Sequence, residues 1–175
     1  MKLSRKELIV RLKSLPRCRN CMDRRIVGAR QRIDNLEARA KAEPVSSDDE
    51  LKAQMAQFLC VLSSGLIEEA VRSILSGFAT ARSRPQVAAY VTTHLAEFQN
   101  PRFEKIMSLL SSFDPEWRRH FEGSGSTEVK DAIDSIVINR HQIAHGRPVG
   151  ISIVTFSNYY RHIRAFLDDL DSLVT

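Results

Sequence analysis

The stretch SSDDELKAQMAQFLCVLSSGLIEEAVRSILSGFA, residues 46–79, decides how the rest of the chain is read. Ser47 followed three residues on by Glu50 forms a capping box. Asp48 and Asp49 put negative charge where a helix N-terminus favours it. Behind that start, Leu59, Leu62, Leu66, Ile67, Ala70, Val71, Ile74 and Phe78 recur at helical spacing around a broad face. The pattern predicts one long helix over 48–79, apolar enough to stand at the centre of a bundle.

Working outward, every neighbouring segment also reads as helix. Residues 3–15 form a short one ended by Pro16, and 23–41 a second with Ile26, Ile33 and Leu36 among many arginines. Pro85 opens a helix holding Val87, Tyr90, Val91 and Leu95. Asn100-Pro101 reads as a cap and first-turn proline for Phe103, Ile106, Leu109, Leu110 and Phe113, and Asp114-Pro115 repeats the device before Trp117 and Phe121. GSGST is a loop. A helix from Glu128 to His145 follows, stopped by Gly146. RPVGISIVT is a loop or short extended turn, and a last helix covers Phe156–Leu173, with core packing expected for one of its tyrosines. Seven Gly and six Pro in 175 residues are too few for a turn-rich β fold. The expected class is an all-α bundle: a basic helical extension over 1–45 and a helical domain over 46–175.

Charge is unevenly spread. Residues 1–43 hold 13 Lys/Arg against 5 Asp/Glu, whereas the remaining 132 hold 13 against 16. A basic module of this kind steers polyanions through phosphate contacts and counterion release, or is simply a solvated helix face. No run approaches the ~20 apolar residues of a membrane span, and MKLSRKELIVRLKSL lacks the apolar region of a secretory signal. Three cysteines argue against a disulfide scaffold. A cytoplasmic setting is expected. Cys18-x2-Cys21 has zinc-knuckle spacing, but with Cys60 as the one other cysteine, free thiols are the simpler reading. No metal or cofactor is expected.

The segment INRHQIAHG, 138–146, breaks the plain helical pattern. Residues 133, 136, 137, 140 and 144 share one stripe, so Arg140 extends the apolar face of Ile133, Ile136 and Val137. A guanidinium there is expensive unless something negative meets it. Ile138, Gln142 and His145 make a second stripe, about 140 degrees round from Arg140. His141 lies one turn before His145 on its face. The plain reading pairs Arg140 with a carboxylate of a neighbouring helix and lets His145 cap the C-terminal carbonyls.

RHQIAHG resembles the R-x4-H signature of the HEPN superfamily, in which the residue after the Arg is usually Asn, Asp or His; here it is His141. LSSGLIEEAVRSIL (62–75), FQNPRFEKIMSLLSSFD (98–114), KDAIDSIVINRHQIAHG (130–146) and a closing amphipathic helix with NYY (158–160) look like the RiboL-PSP-HEPN branch, covering about residues 48–173. The resemblance implies a helical domain that commonly dimerises with its two motifs facing each other. For catalytic members it implies metal-independent endoribonuclease activity in a toxin or anti-phage defence setting, with an antitoxin or other defence protein as partner. His145 would take the proton from a ribose 2′-hydroxyl, and Arg140 would hold the phosphate attacked by that oxygen. Products would be a 2′,3′-cyclic phosphate and a 5′-hydroxyl, and the second chain's His145 would protonate the leaving oxygen.

His141 is a supporting candidate that orients substrate or His145. The family often carries an acidic residue near the Arg, and Glu68 or Glu69 of SGLIEEA fills that place, Glu68 being favoured as the orienting partner of Arg140. Arg24, Arg25, Arg30 and Arg32 of the basic module and Arg147 beside the motif are the expected RNA contacts. Related toxins carry a tyrosine two residues after the motif His, where this chain has Arg147, so inactivation by nucleotide transfer to such a tyrosine is not supported. The competing class is a non-catalytic module that binds RNA or protein. Geometry separates the two: a nuclease leaves Arg140 and His145 solvent-reachable, whereas a scaffold locks Arg140 to a carboxylate.

Overall fold

The computed structural model describes residues 23–42, 49–123 and 126–174. Among the described residues every regular element is a helix: α1 (Arg24–Ala42), α2 (Asp49–Arg82), α3 (Pro85–Ala96), α4 (Phe103–Phe113), α5 (Pro115–Phe121), α6 (Ser126–Ala144) and α7 (Ile153–Val174). The helix expected over 3–15, the Ser47 half of the capping box, and Cys18 and Cys21 lie outside the described residues. None of these helices is long and apolar enough to cross a membrane.

α2 packs against α1, α3, α6 and α7. A helix with neighbours on so many sides must be apolar nearly all round. Accordingly Ala56, Leu59, Cys60, Leu66, Ile67, Ala70, Val71, Ile74, Leu75 and Ala79 are all buried. A fully buried Leu or Ile is worth roughly 1.5–3 kcal/mol, so this one helix organises much of the core's burial. Cys60 behaves as part of that core: burial pushes its thiol up to about 12, so it stays protonated. α6 contributes Ala132, Ile133, Ile136 and Val137, and α7 contributes Phe156, Tyr160, Ile163, Phe166, Leu167 and Leu170. Tyr160 is the tyrosine expected in the core, stacked on Phe156 at 5.5 Å between ring centroids.

Helix starts follow local chemistry in three places and a tertiary contact in a fourth. Pro85 occupies the first turn of α3. The Asp114 side chain accepts from the Glu116 N–H at 2.8 Å and caps α5. Asn100-Pro101, however, is not the start of α4. Arg102 takes the cap position and makes no side-chain cap bond, while Asn100 stands two residues outside with φ 51°. The first N–H of α4, on Phe103, is instead bonded to Asp134 of α6 at 2.8 Å. A cap supplied from 31 residues away cannot be read from local sequence. α7 begins three residues before the expected Phe156, because Ser152 Oγ accepts from the Thr155 N–H at 3.1 Å.

Residues 1–45 were set apart in sequence as a basic extension, yet α1 buries Ile26, Ile33 and Ala40 in the common core. Polar contacts tie it to α7. Arg30 forks onto both oxygens of Asp168 at 2.5 and 3.0 Å, Arg164 meets Asp34 at 3.2 Å, and Tyr160 donates to the Arg30 carbonyl at 3.5 Å. The bidentate hydrogen bond to Arg30 holds the Asp168 carboxyl below the usual carboxylate range.

A depressed carboxyl contributes stability that is present above its unfolded pKa and is lost as pH falls through its folded value. Asp168→Asn should therefore flatten the acid side of a plot of thermal midpoint against pH. Near neutrality the loss should stay at or below about 1 kcal/mol, because the Asp168 side chain is 59% exposed and screened. The same change also removes a negative charge from the neighbourhood of Asp171, whose carboxyl is pushed up by burial and then by Asp168. An unchanged acid limb would show that the fork does not contribute to folding.

Candidate functional site

α6 is buried along Ile133, Ile136 and Val137 and then rises out of the core. Arg140, one turn later on the same stripe, is half-buried, and Ala144 is exposed. The apolar face therefore ends at Arg140 and does not enclose it. Among the described residues no carboxylate pairs with Arg140; its Nη1 donates to Oδ1 of Asn100 at 3.3 Å. The guanidinium tolerates a neutral partner because its exposed side remains hydrated.

His141 and His145 are both exposed, their rings edge to face with centroids 4.4 Å apart. One helical turn separates them, as expected from their spacing. His145 sits just beyond the last helical residue, its N–H bonded to the carbonyls of His141 and Gln142. The chain then turns through Gly146 at φ 66°. Gly146 N–H meets the Ile143 carbonyl at 3.0 Å and Arg147 N–H meets the Gln142 carbonyl at 2.9 Å, the paired bonds of a Schellman motif. This motif fixes where the imidazole of His145 leaves the helix. Arg147, directly after the turn, is exposed.

The acidic residues sit elsewhere. Glu68 forms an ion pair with Arg72, one turn further along α2, and Glu69 approaches the same guanidinium at 3.6 Å. The expectation that Glu68 orients Arg140 is thus corrected: Arg72, four residues away on the same helix, takes its carboxylate. Arg72 in turn donates to the Phe98 carbonyl from Nε at 3.0 Å and Nη2 at 2.6 Å. Glu68 therefore acts on the 97–102 turn, which carries the residue that does meet Arg140.

Of the arginines expected to contact RNA, Arg24, Arg25 and Arg32 are exposed on α1, Arg25 standing 3.9 Å from Asp23. Arg30 is corrected: its side chain is 14% exposed and forked onto Asp168, so it holds α1 to α7. Asp23, at the start of α1, lines an open cavity of about 710 Å³ together with Glu69, Arg72, Ser73, Ser76 and Gly77. The sequence reading missed Asn100, Arg72 and Asp134. Asn100 carries a local signal, a polar residue before proline, but that signal also marks a helix cap.

The RiboL-PSP-HEPN family profile matches residues 29–175. The chain belongs to that family, whose HEPN domains are generally associated with ribonuclease-type or nucleotide-related function. No curated protein and no solved structure shows a significant match to the chain.

Gly146→Ala should destabilise the protein by about 1 kcal/mol, since a Cβ is disfavoured at positive φ. A Cβ there meets nothing within 4 Å, so the cost is conformational alone. Gly146→Asn should recover much of it, because asparagine tolerates the left-handed region. Urea unfolding of the two variants beside wild type checks this ordering, and equal midpoints would count against the motif's role.

Proposed function

We propose that this chain is a metal-independent endoribonuclease, acting as a toxin or anti-phage defence effector, that cleaves RNA to 2′,3′-cyclic phosphate and 5′-hydroxyl ends. One observation carries the reading. Among the described residues Arg140 meets no carboxylate at the edge of the core, its partner being the neutral amide of Asn100, and its helix also presents two exposed imidazoles. A scaffold would neutralise that arginine; a phosphate-binding site leaves it unneutralised.

The chemistry follows from these groups. His145 removes the proton from a ribose 2′-hydroxyl, and the resulting oxygen attacks the adjacent phosphorus in line. Arg140 holds the non-bridging oxygens, where charge collects as the transition state forms. The P–O5′ bond breaks, and an acid must protonate the departing oxygen. In a homodimer with the motifs facing, His145 of the second chain supplies that proton. His141, edge to face with His145, orients its ring. Exposed Leu51, Phe58 and Val61, seven and three residues apart on α2, and Ile138 on α6 offer apolar surface for such pairing. Arg147, directly after the motif, supplies a further phosphate contact, and Arg24, Arg25 and Arg32 on the surface of α1 attract the RNA strand electrostatically.

The test is cleavage of end-labelled total RNA in EDTA by wild type, Arg140→Ala and His145→Ala. His145 is exposed, so its removal should change stability by no more than about 0.5 kcal/mol, whereas Arg140→Ala also loses the bond to Asn100 and should cost about 1.5 kcal/mol. Wild type should leave cyclic-phosphate ends and spare DNA, which lacks the attacking hydroxyl. Each variant should lose at least about 100-fold, the usual scale for an acid–base or charge-stabilising group. Absence of cleavage by wild type, or equal cleavage by all three proteins, would sink the proposal and leave a binding module.

A further inference from the structure

The turn between α3 and α4 is fastened at several points. Arg72 of α2 holds the Phe98 carbonyl, Lys105 of α4 holds the Gln99 carbonyl, and Asp134 of α6 holds the Phe103 N–H. A further bond of 2.8 Å runs from the Arg102 N–H to the Asn100 carbonyl. Between these ties Asn100 is held at φ 51°, where it is the one non-glycine residue with positive φ among the described residues. Asparagine visits that region more readily than most residues, but a conformation of this kind persists only where its surroundings impose it. Here they do. The helix-capping work open to an asparagine in this place is done by Asp134, so the Asn100 carboxamide is left for another contact.

That contact is Arg140, 40 residues away in sequence, at 3.3 Å. A guanidinium only donates, so the amide oxygen faces it. Chemically the choice of amide over acid matters. A carboxylate at this point would pair with Arg140 and compete with an incoming phosphate. An amide gives direction without neutralising the charge. We infer that Asn100 is a positioning residue: held by the clamped turn, it sets the Arg140 guanidinium in place and leaves its charge for the RNA phosphate. This rests on the ribonuclease reading of Arg140.

The test uses the full chain and an oligoribonucleotide cut by wild type. Asn100→Gly preserves the positive φ and removes the amide; Asn100→Asp preserves the shape and adds a charge. With thermal midpoints close to wild type, Asn100→Gly should lower kcat/KM about 10-fold, the scale for misplacing a charge-stabilising group. Its effect should vanish when Arg140 is already Ala, since the amide acts through that side chain. Asn100→Asp should raise KM, as the new carboxylate competes for the guanidinium. Wild-type rates for Asn100→Gly, or a loss that adds in full to that of Arg140→Ala, would overturn the inference. If wild type itself does not cleave, the ribonuclease reading fails on its own account. Positioning is then decided by the Arg140 side-chain nitrogen signal in NMR, which should be ordered in wild type and averaged in Asn100→Gly; an identical signal in both would overturn it.

Discussion

The structure depends on the burial of α2. Because α1, α3, α6 and α7 all pack on it, a polar group along its length must be small, exposed or fully engaged. Ser63 and Ser64 are small and buried, and Gly65 and Glu69 reach solvent. Arg72 is the engaged case. Half-buried where α2 passes the end of α3, it is satisfied by Glu68 and by the Phe98 carbonyl. The requirement that a central helix leave no partly buried cation unpaired thus fixes the path of the chain through residues 97–102. That path places Asn100 beside Arg140. Site geometry here is a consequence of core packing two steps removed.

Arg140 follows a different rule from Arg72, and the contrast is informative. A guanidinium and a carboxylate about 4 Å apart attract by roughly 4 kcal/mol at the effective dielectric typical near a protein surface. An RNA phosphate would have to compete with that pairing to reach the arginine. A hydrogen bond from a charged donor to a neutral acceptor is worth about 1.5–3 kcal/mol and leaves the net charge in place. The fold provides the first kind of partner for Arg30, Arg72 and Arg164, each engaged with a carboxylate, and the second kind for Arg140. On this comparison Arg140 is set apart by its surroundings as well as by its place in the motif.

Much of the bundle was legible because its signals are local. The periodicity of 59–78, the proline at 85, the Asp114 cap and the glycine at 146 each act within a turn or two of themselves, and each held. What the sequence hid was set by contacts between distant segments. Asn100-Pro101 has every local mark of a helix start, yet Asp134 supplies the cap, so α4 begins at Phe103. Glu68 has the right helix and the right charge to serve Arg140, but Arg72 lies one turn away and takes it. The R-x4-H spacing singles out Arg140 and His145, and the four-residue spacing of His141 and His145 predicts the one-turn contact of their rings. Spacing is silent on what meets Arg140, because its partner belongs to another element.

Contacts between helices also bear on the arginines of α1. Counting charges over residues 1–43 treats every arginine as free to face a polyanion, but α1 is also a core helix that must dock on α7. Docking uses Arg30 on Asp168 and Asp34 on Arg164, pairing a cation from each helix with a carboxylate from the other. Of the described cations of α1, Arg24, Arg25, Arg32, Arg39 and Lys41 remain exposed. At ~0.1 M salt the influence of such charges falls off over about 10 Å, so from the surface of α1 they would draw a polyanion toward the protein more than grip a particular phosphate. On the ribonuclease reading, selection of the scissile phosphate would then rest with Arg140, which stands on the buried stripe of α6 and reaches across to the clamped turn at Asn100.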